Sequence, residues 1–163
     1  MSDVTPRGRT SDLLGLAAFL ALCLAVSAAG GWVTAGSVTT WYPTLHKPAF
    51  NPPNWVFAPV WTTLYLMIAV AGWRVWRSRG SAARAALAAY AVQLTLNLLW
   101  SFIFFGAHLI GAALADIALL FAAICINAIL FRRIDRVAVW LLVPYAAWVA
   151  FACLLNYALW RLN

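Results

Sequence analysis

Five long stretches of the chain contain no Asp, Glu, Lys or Arg: 13–46, 48–73, 85–115, 117–131 and 137–160. They are apolar throughout, without the polar alternation of barrel strands. A helix needs about 20 such residues to cross a bilayer. Only helices and closed barrels satisfy their backbone in lipid. Turn signals trim the stretches to five predicted helices, near 13–34, 56–77, 82–105, 109–131 and 137–159, after a short N-terminal tail, 1–12. The expected fold is all-α, a five-transmembrane-helix bundle formed by residues 13–163.

The segment 35–55, AGSVTTWYPTLHKPAFNPPNW, breaks the pattern. Pro43, Pro48, Pro52 and Pro53 forbid a regular helix there. Loops this long are lids, binding loops or disordered segments, yet Trp and Tyr also anchor chains at the membrane surface. Composition leaves lid and anchor equally open.

Composition sharpens the membrane reading. Of 163 residues, 66% are hydrophobic and 9% charged, and a soluble domain of this size exposes too much surface to hide them. A soluble enzyme, a disordered chain and a disulfide scaffold are excluded. Cys23, Cys125 and Cys153 each lie inside an apolar run without metal-binding spacing, and read as small hydrophobes. The net charge of +7 does not imply nucleic acid, because the basic residues flank apolar runs. Nine arginines fall on one side of the predicted bundle: Arg7, Arg9, Arg74, Arg77, Arg79, Arg84, Arg132, Arg133 and Arg136. Lys47 and Arg161 fall on the other. In a cytoplasmic-type membrane this places the N-terminus inside and the C-terminus outside. A competing reading makes Arg7 to Ala29 a cleavable signal peptide, leaving four spans. The uncharged run continues past Ala29, which favours five.

Chemistry-bearing residues are sparse. Glu is absent, Asp3 and Asp12 precede the first span, and Asp135 sits among arginines, so no carboxylate pair is available for acid–base work. His46 and His108 lie in loops and read as interfacial polar residues rather than metal ligands. Asp116 lies about two turns into the fourth span, with Asn127 eleven residues on and nearly on the same face. The preferred reading is an interhelical hydrogen-bond pair, the alternative a ligand or proton site.

Three helices carry aromatic and polar faces at three- and four-residue spacing. Helix two offers Trp61 and Tyr65, helix three Tyr90, Gln93, Asn97 and Trp100, and helix five Tyr145, Trp148, Ala152 and Asn156. Such faces suit a flat apolar ligand with a few polar edges. Equally, the amides are glue between helices. Small residues at four-residue spacing, Ala82 with Ala86 and Ala85 with Ala89, suit a dimer face on helix three or a contact within the chain.

Three blocks carry a resemblance: WYPTLHKPAFNPPNWVFAPVWTTLY (41–65), QLTLNLLWSFIFFGAHLIGAALAD (93–116) and VPYAAWVAFACLLNYALWRLN (143–163). They resemble the TspO/MBR family of tryptophan-rich sensory and translocator proteins, also called the peripheral benzodiazepine receptor family. Its W-Y-x-x-L-x-K-P, Q-L-x-x-N-x-x-W and P-Y-x-x-W-x-x-F-A-x-x-L-N patterns are all present, as are ten tryptophans. The resemblance implies a five-helix membrane bundle, often a homodimer, with the first loop a lid over a pocket between helices. Trp41, Lys47 and Pro48 would belong to the lid. Trp61, Tyr65, Asn97, Trp100, Trp148, Ala152 and Asn156 would line the pocket. The implied ligands are porphyrins (protoporphyrin IX or haem), sterols and benzodiazepine-type compounds, with no required cofactor. The chain departs from the pattern at Phe50, where many members have Trp, and at Ala112, where animal members have Trp. Leu155, Tyr157 and Arg161 fit the proposed cholesterol pattern, a weak signal. A bacterial source is expected.

The expected function is tetrapyrrole binding and sensing. The runner-up, again from the resemblance, is light- and oxygen-dependent porphyrin degradation with Trp61 and Trp148 taking part. Porphyrin or sterol transport is a further alternative. Five spans do not divide into inverted halves, and no nucleotide-binding motif is present.

Overall fold

A computed structural model describes residues 9–163, and within it the chain forms five helices, each long and apolar enough to cross a membrane. They are α1 (Arg9–Thr40), α2 (Phe57–Arg77), α3 (Ser81–Ser101), α4 (Ile110–Arg132) and α5 (Arg136–Leu162). The fold is an all-α bundle. Arg7 and Asp3 lie outside the described residues.

The helices close into a ring: α1 against α2, α2 against α5, α5 against α4, α4 against α3 and α3 back against α1. Tyr145, Ile68, Ile124 and Phe131 are fully buried inside it. Trp32, Trp55 and Trp140 are more than 70% exposed and face outward, as suits aromatic rings in lipid or at its surface. Close packing is set at Gly72, where a Cβ would come within 2.7 Å of the Tyr90 ring and 2.8 Å of Phe19. Here α1, α2 and α3 meet with no room for a side chain.

Helix α1 runs six residues beyond the predicted end at 34. No proline intervenes before Pro43, and in lipid a helix is the cheapest way to satisfy the backbone. Thr34 and Thr40 hydroxyls donate back to the Gly30 and Gly36 carbonyls at 2.7 and 2.8 Å. The connecting loop is correspondingly shorter than 35–55. It holds 3-10 turns at Tyr42–Thr44 and Asn54–Val56. Helix α1 is an integral wall of the bundle: Cys23 Sγ lies 3.1 Å from Tyr90 Oη, and Phe19 packs edge-on against Trp76 and Tyr90.

A π-helical turn, Phe102–Gly106, ends α3. The Ala107 amide reaches back five residues to the Phe102 carbonyl (2.8 Å), and Leu109 reaches Ile103 (3.0 Å). At the other end Asp135 caps α5, its Oδ1 accepting from the Val137 and Ala138 amides at 2.8 and 3.2 Å. Its Oδ2 pairs with Arg74 Nε at 2.9 Å, and Arg77 pairs with Asp12 at 3.2 Å. These two ion pairs tie α1, α2 and α5 together at the arginine-bearing end. Burial alone raises the Asp135 carboxyl, but its hydrogen bonds from Arg74, Ala138 and Val137, with the Arg74 charge, outweigh it and hold the group below its ordinary value.

Candidate functional site

The aromatic–polar faces of α2, α3 and α5 converge. Between them, closed by α1 and touched by α4, lies a cavity of about 370 Å³, within the usual range for small-molecule sites, roughly 300–1,000 Å³. It sits toward the end of the bundle opposite the arginines. All seven residues named from spacing and resemblance line it: Trp61, Tyr65, Asn97, Trp100, Trp148, Ala152 and Asn156.

Each ring is held by a neighbour. Trp61 lies 5.6 Å from Tyr65 and edge-on to Tyr145. Trp100 stacks on Phe104 at 5.0 Å. Trp148 sits edge-on to Phe57 at 6.0 Å. Edge and offset contacts of this kind suit the ring quadrupole and fix ring planes.

The amides are committed as well as placed. Tyr65 Oη donates to Asn97 Oδ1 (2.6 Å), and Asn97 Nδ2 donates to Tyr145 Oη (2.8 Å). Trp100 Nε1 donates to Asn156 Oδ1 (3.0 Å), and Asn156 Nδ2 donates to the Ile110 carbonyl (3.0 Å). The same amides therefore join helices and form cavity wall. Each retains one amide hydrogen and one acceptor lone pair beyond these bonds.

The loop meets the cavity at its two ends. Trp41, Lys47 and Pro48 do not line the cavity, whereas Tyr42 and Asn54 do. Trp41 stacks on His108 at 4.1 Å and meets Phe104 edge-on. Lys47 Nζ donates to the Leu45 carbonyl (3.1 Å) and lies 4.9 Å above the Tyr42 ring. Tyr42 donates its hydroxyl to Asn51 Oδ1. Burial pushes the Tyr42 phenol up to about 12, the Asn51 bond opposing it, so it remains a donor. The wall supplied by α1, including Ser27, Gly30 and Thr34, is a further part that spacing did not single out.

Other residues stand apart. Leu155 is buried on the cavity, while Tyr157 and Arg161 are exposed, so the cholesterol-like triplet does not present one face. His108 lies 3.2 Å from Ser37 Oγ, and His46 is exposed in the loop; neither lines the cavity. Among the described residues no three His, Cys, Asp or Glu side chains gather as a metal set would. Asp116 and Asn127 share the buried face of α4, yet the interhelical hydrogen-bond pair expected of them is not formed. Among the described residues, Asp116 Oδ2, both Asn127 amide atoms and both Gln93 amide atoms have no hydrogen-bond partner. Three turns of rise, about 16 Å, separate Asp116 from Asn127 along the helix, and neither lines the cavity. Ala86 packs inside the bundle, whereas Ala82 and Ala85 face outward.

The TspO/MBR family pattern matches residues 19–161. A tryptophan-rich protein TspO of Chlorobaculum tepidum is 41% identical over 156 residues, covering 93% of this chain and 98% of the relative. The translocator protein of Homo sapiens is 40% identical, covering 78% of each chain. The tryptophan-rich sensory protein of Cereibacter sphaeroides is 39% identical, covering 89% of each. With five membrane-length helices and a match along nearly its whole length, the chain is an integral multi-pass membrane protein and belongs to the TspO/MBR family.

Proposed function

We propose that the cavity binds a tetrapyrrole, a porphyrin or haem, and that the chain acts as a membrane receptor or sensor for it. The observation that carries this reading is the meeting of Trp61, Trp100 and Trp148, from three helices, on one cavity. A porphyrin is a broad apolar plate with a polar carboxylate edge. Indole faces suit the plate, and the spare hydrogens on Asn97 and Asn156 suit the edge. The sensory and translocator names of the relatives agree with a protein that responds to a bound molecule. Sterols and benzodiazepine-type compounds are the alternative occupants of the same apolar walls. Charge distribution supports placing the arginine-bearing end inside. Exposed Ala85 with half-buried Ala89, four residues on, supports a homodimer through α3, whereas Ala86 on the other line packs inside the bundle.

The test is a dark titration of the purified protein with protoporphyrin IX, following tryptophan quenching and the porphyrin absorbance band together. Saturable quenching with a band shift is expected. A linear response without saturation would remove the proposal. A second reading, degradation of the porphyrin in light with oxygen as oxidant, is favoured by Trp61 and Trp148 lying on the cavity. Illuminating the loaded protein should then yield a defined product faster than free pigment bleaches.

A further inference from the structure

We infer that Gln93 and Asn127 hold a buried water molecule in the seam between α3 and α4. Both residues are fully buried. Among the described residues, neither amide has a hydrogen-bond partner at its oxygen or its nitrogen. Inside a membrane no bulk solvent reaches such groups, and a buried amide left unbonded is costly. The register of the two helices brings the orphaned groups together. Tyr90 of α3 stacks on Phe131 of α4, with ring centroids 6.3 Å apart. Gln93 is three residues on from Tyr90, and Asn127 is four residues back from Phe131. The two helices are joined through the π turn and pack antiparallel, so both steps lead toward the same end of the bundle. Rises of about 4.5 and 6 Å leave the amides within about 1.5 Å of one level.

The surroundings suit water. A helical side chain lies over the turn that precedes its own Cα. For Gln93 that turn carries Ala89, and for Asn127 it carries Ala123. Two methyl groups in place of larger side chains leave room for a small polar molecule. The nearby polar groups are engaged elsewhere. Asn97, one turn beyond Gln93, commits its amide to Tyr65 and Tyr145. Tyr90 donates its hydroxyl to the Ile68 carbonyl at 3.2 Å. Each free amide offers two hydrogens and two acceptor lone pairs. A cation would use the oxygens alone and an anion the nitrogens alone. Water takes a hydrogen from one amide and gives one to the other, and buried waters make about three such bonds. Asp116, whose Oδ2 is also unbonded among the described residues, stands about 16 Å of helix rise from Asn127 and takes no part. Neither Gln93 nor Asn127 lines the cavity, so the site stands whatever the cavity binds. It ties α3 to α4 one turn nearer the arginine-bearing end than Asn97 ties α3 to α2 and α5.

The first test uses the full wild-type chain in lipid bilayers. Proton-detected solid-state NMR should show magnetisation transfer from water to the side-chain amide protons of both Gln93 and Asn127. Transfer to one alone or to neither, or correlation of the two amides only with each other, would overturn the site. The second test is thermal unfolding of Gln93→Leu, Asn127→Leu and the double variant. Each single substitution takes one support from the water and leaves the other amide buried without its partner. Each should lower Tm by about 5 °C. The double variant removes both amides and the water together and lines the seam with apolar atoms. It should melt no lower than either single variant, the non-additivity expected of groups that share one partner. A double variant whose loss equals the sum of the two single losses would show that the amides do not share a site. If a single variant fails to fold, the double variant should still fold, and with the wild-type spectrum it decides the matter. A double variant that also fails to fold would count against the shared site.

Discussion

Tyr65 and Asn97 are joined by a 2.6 Å hydrogen bond at the cavity wall, and Asn97 passes the link on to Tyr145 at 2.8 Å. Three helices are fastened through one amide. A single side chain therefore serves two purposes, cohesion of the bundle and polarity of the wall, and substitutions can separate them.

Replacing Asn97 with Leu leaves two buried tyrosine hydroxyls without their partner. Each orphaned hydroxyl costs about 1–3 kcal/mol, and the loss should appear as a lower Tm in detergent. Adding Tyr65→Phe and Tyr145→Phe removes the orphans, and the triple variant should recover most of the lost Tm. A triple variant less stable than Asn97→Leu would show that the three groups do not act as a unit.

Trp148→Ala should weaken protoporphyrin binding about 30-fold, since truncating a central aromatic anchor costs about 2 kcal/mol or more. Trp140, on the same helix but 72% exposed, is the control. Its alanine variant should bind as wild type does. Equal affinities for Trp148→Ala and wild type would remove Trp148 from the site.

Asp135 makes an acid-sensitive contribution to stability. Its carboxyl is held below its ordinary value in the folded chain. The contribution is therefore complete above the unfolded value, about 3.9, and is lost as pH falls through the lower folded value. Asp135→Asn keeps an acceptor for the Val137 and Ala138 amides but loses the charge that faces Arg74, and the variant should lose about 0.5 kcal/mol at neutral pH, the usual worth of a partly exposed ion pair. The gap between wild type and variant should narrow as pH drops below about 4. A constant gap down to acid pH would contradict the assignment.

The helices were legible because lipid demands long runs without charge, and the arginines between runs mark one end. The cavity face was legible for the same reason at finer scale: Asn97 and Trp100 are three apart, and Trp148, Ala152 and Asn156 four apart, so a helix brings each set to one side. Spacing did not decide whether the amides were wall or glue, and they are both. The loop was not legible in this way. Without a period, nothing distinguishes Trp41, which turns to His108, from Tyr42, which turns to the cavity. Nor does spacing along α4 reveal that Asp116 and Asn127 would stay unpaired, because partners on other helices depend on the packing of the whole bundle. The contribution of α1 was overlooked although Ser27, Gly30 and Thr34 stand three and four apart, because hydroxyls and glycine in a long run of small residues mark a face less plainly than rings and amides do.

The π-helical turn at Phe102–Gly106 constrains evolution in a particular way. A π turn accommodates one residue more than the α-helix around it. Deleting any residue from this segment would convert it to ordinary helix and draw the residues after the deletion one step back along the chain. Phe104 would leave its stack on Trp100, and His108 would turn away from Trp41. Side chains here can be exchanged within limits of size, but the number of residues cannot. Relatives that share this wall should vary in letters across the segment and hold their count, so that a gap in an alignment at this point marks a differently shaped site.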